Sequence, residues 1–218
     1  MASPAGPELW SLSTAQLGLE AVATVAFALS GLIEAARKKL DAVGVCVVAG
    51  LAAFGGGTLR DILLDRRPFF WVEQAWWLWV LLLLCAGALL FMRAGHIEPT
   101  ERAAQWPDAL GLGLFAAGGT QIALDASMPA IVAVLMGVVT AVFGGVLRDI
   151  VCNEIPRAFR DHQPYAVCAF AGGWVLVGAQ ALAVPQWLGL AAGAACALLL
   201  RVLVLWTGWR LPAWQAHS

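Results

Sequence analysis

A phrase written twice constrains this chain more than any other feature. Phe54-Gly55-Gly56-Gly57-Thr58-Leu59-Arg60-Asp61-Ile62 returns as Phe143-Gly144-Gly145-Val146-Leu147-Arg148-Asp149-Ile150, and superimposing the two Arg-Asp pairs sets the copies 88 residues apart. At that offset 8 of the 17 positions from Ala52 to Pro68 are identical to those from Thr140 to Pro156. Each copy closes an apolar run of 18 residues, Ala42–Leu59 and Ala130–Leu147. Glycines disfavour helix, and Arg and Asp are costly in or beside lipid. Their joint appearance twice in a membrane chain points to a pathway built from an internal repeat.

The membrane itself follows from composition. The 218 residues are 61% hydrophobic and only 12% charged, where soluble domains are near a quarter charged. Mean hydropathy is +0.80. A soluble chain of this length has no way to hide so much apolar surface, so the fold class expected is an all-α membrane protein with no soluble domain, residues 1–218 forming one membrane domain. The runs are too long, and too little alternating, for barrel strands. A net charge of −1 gives no reason to expect nucleic acid as a partner. No phosphate loop, nucleophile elbow or nucleotide fingerprint occurs, so neither an enzyme nor a cofactor is expected. His96, His162 and His217 fall in loops and the tail without metal-site spacing. Cys46, Cys85, Cys152, Cys168 and Cys196 lie in or beside apolar runs and read as small apolar helix residues.

Seven transmembrane helices are predicted, over roughly 17–36, 42–64, 75–93, 109–125, 129–152, 164–184 and 186–207. Most carry enough apolar residues to cross ~30 Å of hydrocarbon. The segment before the first has no Lys or Arg up to Gln16, unlike a cleaved signal peptide, so that helix is expected to be retained. With the N-terminus outside, the cytoplasmic segments hold Arg37, Lys38, Lys39, Arg93, Arg102, Arg157, Arg160 and Arg210, against Arg66 and Arg67 outside. The excess of inside positive charge favours that orientation and a cytoplasmic C-terminus. Trp71, Trp76, Trp77 and Trp79 cluster as an interfacial belt would.

Three helices per copy invert the second copy relative to the first. The expected architecture is two inverted three-helix repeats, about 17–93 and 109–184, plus a seventh helix at about 186–207. Phe27-Ala28 and Gly31 fall on Phe115-Ala116 and Gly119 at the same offset. A polar loop with His96, Glu98, Pro99, Glu101 and Arg102 separates the halves.

Gly55, Gly56 and Gly57, like Gly144 and Gly145, invite a kink or unwound turn. Carbonyls freed there, with Thr58, would replace part of a cation's hydration shell; the alternative is that the glycines let helices pack closely. Helix neighbours point about 100° apart, which argues against a bridge inside each Arg-Asp pair. The inverted repeat suggests an exchange, Arg60 toward Asp149 and Arg148 toward Asp61; the alternative is that all four snorkel to the interfaces. Pro68 and Pro156 are expected to help end the helices. Ser30, Glu34, Thr120, Gln121, Asp125 and Thr140 either line a hydrated path or bond helix to helix.

On both motifs and the seven-helix layout, over about residues 17–207, the chain resembles the bacterial branch of the trimeric intracellular cation channel family. The resemblance implies a homotrimer in membrane lipid, one pore per protomer formed by the glycine-kinked second and fifth helices, with K+ or Na+ as permeant ions. Its ion pathway would involve Gly55, Gly56, Gly57, Thr58, Arg60, Asp61, Thr140, Gly144, Gly145, Arg148 and Asp149, with Ser30, Glu34 and Gln121 as further lining residues. The second motif departs by placing Phe143 opposite Gly55 and Val146 opposite Thr58, so the second half is expected to offer fewer polar groups. Some bacterial relatives are labelled glycine transporters, which makes a secondary transporter of glycine or a similar small amino acid the rival. The setting implied is the bacterial inner membrane.

Overall fold

Asp41 starts a helix by accepting the N–H of Gly44 on its side chain at 2.8 Å, and Thr100 starts another by accepting the N–H of Ala103 at 3.1 Å. Such caps satisfy donors that the first turn leaves without partners. The computed structural model describes residues 14–93, 100–160 and 162–212. Within them lie α1 (Thr14–Arg37), α2 (Ala42–Leu63), α3 (Phe70–Glu73), α4 (Trp76–Arg93), α5 (Glu101–Asp125), α6 (Ala130–Val151), α7 (Tyr165–Ala181) and α8 (Gln186–Thr207). The protein is an all-helical membrane protein. Four of its described helices, α1, α2, α6 and α8, are long and apolar enough by themselves to cross a membrane.

Two elements differ from expectation. The four-residue α3 was not anticipated, because Phe70–Glu73 carries no helical period of its own. α5 begins eight residues earlier than the apolar pattern suggests. The Thr100 cap carries the helix through Glu101 and Arg102 and past Pro107, a proline inside the helix with no N–H to give the Ala103 carbonyl. Glu101 and Arg102 of the expected polar loop are therefore helical; His96, Glu98 and Pro99 lie outside the described residues.

The 88-residue offset is visible in the backbone. α2 and α6 begin and end at matching positions. The turns repeat as well: Lys39 and Ser127 have φ of 55° and 58°, and Asp65 and Asn153 have φ of 51° and 55°. After α2, the Arg66 N–H reaches the Asp61 carbonyl and the Asp65 N–H that of Ile62; after α6, Glu154 reaches Asp149 and Asn153 reaches Ile150. This left-handed stop satisfies the last carbonyls. It ends both helices before Pro68 and Pro156, which therefore do not terminate them.

Packing repeats too. Phe27 on α1 stacks on Phe115 on α5, with ring centroids 5.5 Å apart and planes 16° from parallel. These are matching residues meeting each other. α2 and α6 cross where Gly56 lies on Thr140 and, at the matching place, Gly144 lies on Ala52. One apolar core gathers Phe27, Leu112, Phe115 and Tyr165; another gathers Leu32, Val48, Phe54 and Phe70.

Candidate functional site

Arg60 and Arg148 stand in the last turns of α2 and α6, where the partial negative charge of the helix end favours a cation. Both are buried, at 0% and 1% exposure. Burying a guanidinium costs several kcal/mol unless it is paired and hydrogen-bonded, and both are. Arg60 Nε donates to Asp61 Oδ1 at 2.9 Å, and its Nη1 donates to Glu20 Oε1 at 2.8 Å. Arg148 Nε donates to Asp149 Oδ1 at 2.8 Å, and its Nη1 donates to Asp108 Oδ1 at 2.7 Å. Glu20 and Asp108 are themselves 88 residues apart. The other carboxylate oxygens hold the following loops: Asp61 Oδ2 accepts the Phe70 N–H at 3.2 Å and Asp149 Oδ2 the Arg157 N–H at 2.9 Å. Each cluster thus ties a helix end to an upstream helix and a downstream loop.

This geometry overturns the expected exchange between Arg60 and Asp149 and between Arg148 and Asp61. Each arginine pairs with its own neighbour. Adjacent Cα–Cβ bonds do diverge, but the long arginine side chain carries several donors in a planar fork, and these reach the next residue's carboxylate and a second acid together. Neither Glu20 nor Asp108 is among the site residues expected from the sequence. Their signal was available: two acids at the same offset as the two arginines.

The second cluster is the richer one, and part of its polar set, Ser30 and Glu34, comes from α1 in the first half. Arg148 Nη1 also donates to Ser30 Oγ at 2.5 Å, and Ser30 Oγ donates to the Ala104 carbonyl at 2.9 Å. The Tyr165 hydroxyl donates to Asp108 Oδ2 at 2.7 Å. Buried Glu34 accepts from Arg157 at 2.7 Å and from Arg37 at 2.5 Å. Arg37, Lys38 and Arg160 pair with Glu154, and Arg160 also with Glu101. Expected lining residues Ser30 and Glu34 therefore sit within this cluster. The Lys38 ammonium, bonded to Glu154, holds that carboxyl below the usual glutamate range, with Arg37 adding to the effect.

The glycines are placed differently from expectation. α2 and α6 run unbroken through both motifs, so neither contains an unwound turn that frees carbonyls. A Cβ at Gly56 would lie 2.0 Å from the Thr140 carbonyl oxygen, one at Gly144 2.3 Å from that of Ala52, and one at Gly55 2.7 Å from Leu147. A Cβ at Gly57 would lie 2.5 Å from the Phe70 ring. Gly56 and Gly144 are close-approach glycines, where the helices cross at a distance no side chain permits, whereas Gly55 and Gly57 meet side chains. Gly145 alone in the motifs has room, its nearest neighbours being the polar atoms of Arg148, Asp108 and Tyr165 at 3.6 Å.

The hydroxyls are committed locally. Thr58 donates to the Phe54 carbonyl at 2.8 Å and accepts from the Trp71 indole at 3.0 Å. With Gly55, Phe143 and Leu147 it borders an apolar hollow of about 560 Å³. Thr140 donates to the Met136 carbonyl at 2.7 Å. Gln121 lies apart from both arginines, donating to Asp125 at 2.8 Å and accepting from Gln180 at 2.8 Å, while Gln16 donates to Asp125 at 2.6 Å. Thr120 donates to the Ala116 carbonyl at 2.7 Å.

Comparison with known proteins places this arrangement. A family model described as "Glycine transporter" matches residues 17–94 and 105–181. A membrane protein of Vibrio cholerae serotype O1 is 37% identical over 82% of this chain and 74% of its own length. The inner membrane protein YadS of Escherichia coli strain K12 is 34% identical over 89% of this chain and 93% of its own. Among solved structures, the TRIC trimeric intracellular cation channel orthologue from Rhodobacter sphaeroides matches with a TM-score of 0.84 and 34% identity, over 90% of this chain and 100% of that one. A prokaryotic TRIC channel matches with a TM-score of 0.82 and 25% identity, over 90% and 98%.

Proposed function

The chain belongs to the trimeric intracellular cation channel family, whose family model carries the description glycine transporter, and we propose that it is a homotrimeric monovalent cation channel of the bacterial inner membrane. Each protomer provides one path for K+ or Na+, flanked by α2 and α6. The observation that carries this reading is the pair of buried Arg-carboxylate clusters, repeated at one offset on either side of the α2–α6 crossing. Charged groups buried in a membrane bundle mark ion pathways. Arg60, Asp61, Arg148, Asp149, Ser30, Glu34 and Gly145 are the residues nearest the proposed path. In the conformation described, both guanidiniums are neutralised by carboxylates, and passage of a cation requires an arginine to move aside.

Seven spans, α1, α2 and α4–α8, complete the proposal as two inverted three-helix halves with α8 added. Matching helix bounds, the matching turns and the Phe27–Phe115 stack support it. The gathering of Arg37, Lys38, Arg157 and Arg160 at one end supports a cytoplasmic placement of that end.

A second reading is favoured by the family description: a carrier of glycine or a similar small amino acid, whose carboxylate an arginine would hold. Purified protein in a planar bilayer under a K+ gradient separates the two. Discrete current steps support the channel. Their absence, with saturable glycine uptake by proteoliposomes, overturns it in favour of the carrier.

A further inference from the structure

The two arginines are not equivalent, and two substitutions at the repeat offset explain why. Ser30 on α1 gives Arg148 a hydroxyl acceptor at 2.5 Å; the position matching Ser30 is Gly118, which has no side chain to offer Arg60. Tyr165 on α7 donates to Asp108 Oδ2 at 2.7 Å while Asp108 Oδ1 accepts from Arg148; the position matching Tyr165 is Trp77. Trp77 stacks on Trp76 with centroids 3.9 Å apart, and its indole makes no hydrogen bond among the described residues. The Tyr165 ring is itself braced from α8, where the Arg201 guanidinium lies 4.7 Å from its centroid and donates to Gln163 at 3.0 Å. A chain of contacts therefore runs from α8 through α7 and α5 to the α6 arginine and on to α1.

We propose that Tyr165 is a positioning residue for Arg148: its hydroxyl fixes the Asp108 carboxylate in the orientation that locks the α6 arginine, and leaves Arg60, held by two carboxylates and the Phe70 ring 5.8 Å away, as the less restrained of the two. A carboxylate with one oxygen tied to a phenol presents the other in one direction. The hydrogen bond is charge-assisted and buried, the kind whose removal is felt most. α8, which has no counterpart in the first half, thereby acts on the site it does not touch. The geometric part stands on the contacts above; its consequence for current rests on the channel reading.

Tyr165 is the chain's one tyrosine, so 3-fluorotyrosine incorporated into the full-length protein reports this position alone by fluorine NMR. Asp108→Asn and Arg148→Lys should each displace the resonance, and Arg60→Lys should leave it in place. Tyr165→Phe, which deletes one oxygen, should shift the population of locked arginine about tenfold. In a bilayer that shift appears as altered open probability at unchanged unit conductance, whereas Trp77→Phe leaves both as in wild type. A resonance indifferent to Arg148→Lys overturns the positioning role. A resonance that responds, with Tyr165→Phe gating like wild type, makes Tyr165 a structural brace and overturns the proposal equally. Wild-type protein that passes no current refutes the channel reading instead, and the resonance still decides whether Tyr165 positions Arg148.

Discussion

The carbonyl oxygen of Thr140 occupies the place a side chain at Gly56 would need: a methyl carbon there would stand 2.0 Å away. Gly144 meets Ala52 in the reciprocal way at 2.3 Å, whereas Gly145 has 3.6 Å to its nearest atom. Gly56→Ala and Gly144→Ala therefore force α2 and α6 apart, at a cost of about 1–3 kcal/mol or more from overpacking. Gly145→Ala gains helix propensity, about 1 kcal/mol, without a clash. Thermal unfolding in detergent should lower the midpoint for the first two and hold or raise it for the third. Equal loss at all three positions would refute the close-approach account.

Coupling between charges distinguishes the observed pairs from the exchanged ones. Arg148→Gln and Asp108→Asn, combined, should be non-additive by about 0.5–3 kcal/mol, and Arg60→Gln with Glu20→Gln likewise. Arg148→Gln with Asp61→Asn should be additive within about 0.5 kcal/mol, because these residues share no contact. Double-mutant cycles on unfolding in detergent read both, and strong coupling of Arg148 with Asp61 would restore the exchanged arrangement.

The left-handed stops make a third test. Asp65 and Asn153 hold φ near 50°, a conformation that costs residues with a Cβ about 1 kcal/mol or more. Asn153→Gly should keep α6 ending where it does and leave stability unchanged or raised by up to about 1 kcal/mol. Asn153→Val, β-branched and ill-suited to positive φ, should lower it. A stabilising valine would contradict the backbone geometry at this turn.

Much of this architecture was legible because helix signals are local. The apolar runs set α2 and α6 to within a residue, and the repeated Arg-Asp pairs marked where the buried charges lie. What failed were inferences from direction. Assigning Arg60 to Asp149 used the divergence of neighbouring Cβ atoms and ignored the reach of a guanidinium. Reading the glycines as helix breaks used intrinsic propensity, which tertiary packing overrides once α2 and α6 supply contacts that only glycine admits. Asp108 lies just before the apolar run that sets the expected helix at 109, whereas the Thr100 cap starts α5 early enough to include it. Tyr165 carries no local pattern at all; only its contact across α5 gives it meaning.

Glu154 gives a pH dependence whose sign follows from its partners. Its carboxyl is held below the ordinary glutamate value by the Lys38 hydrogen bond first and by Arg37 as well. The folded protein therefore holds the Glu154 proton less tightly than the unfolded chain does. The stabilisation is fully present above the ordinary value, about pH 4.3, and is lost as pH falls through the lowered folded value. Exposed ion pairs contribute no more than about 1 kcal/mol, and salt screens them, so the effect should be small at low ionic strength and shrink in high salt. Glu154→Gln removes the titrating carboxyl while keeping its shape. Unfolding midpoints measured from pH 7 down to pH 3 should fall more steeply in wild type than in Glu154→Gln, with the curves converging at the acid end. The buried pairs at Arg60 and Arg148 are common to both proteins and cancel in that difference. Parallel curves would mean that the Lys38–Glu154 contact does nothing for the fold, leaving the junction between the ends of α1 and α6 to Glu34, which bonds to both Arg37 and Arg157.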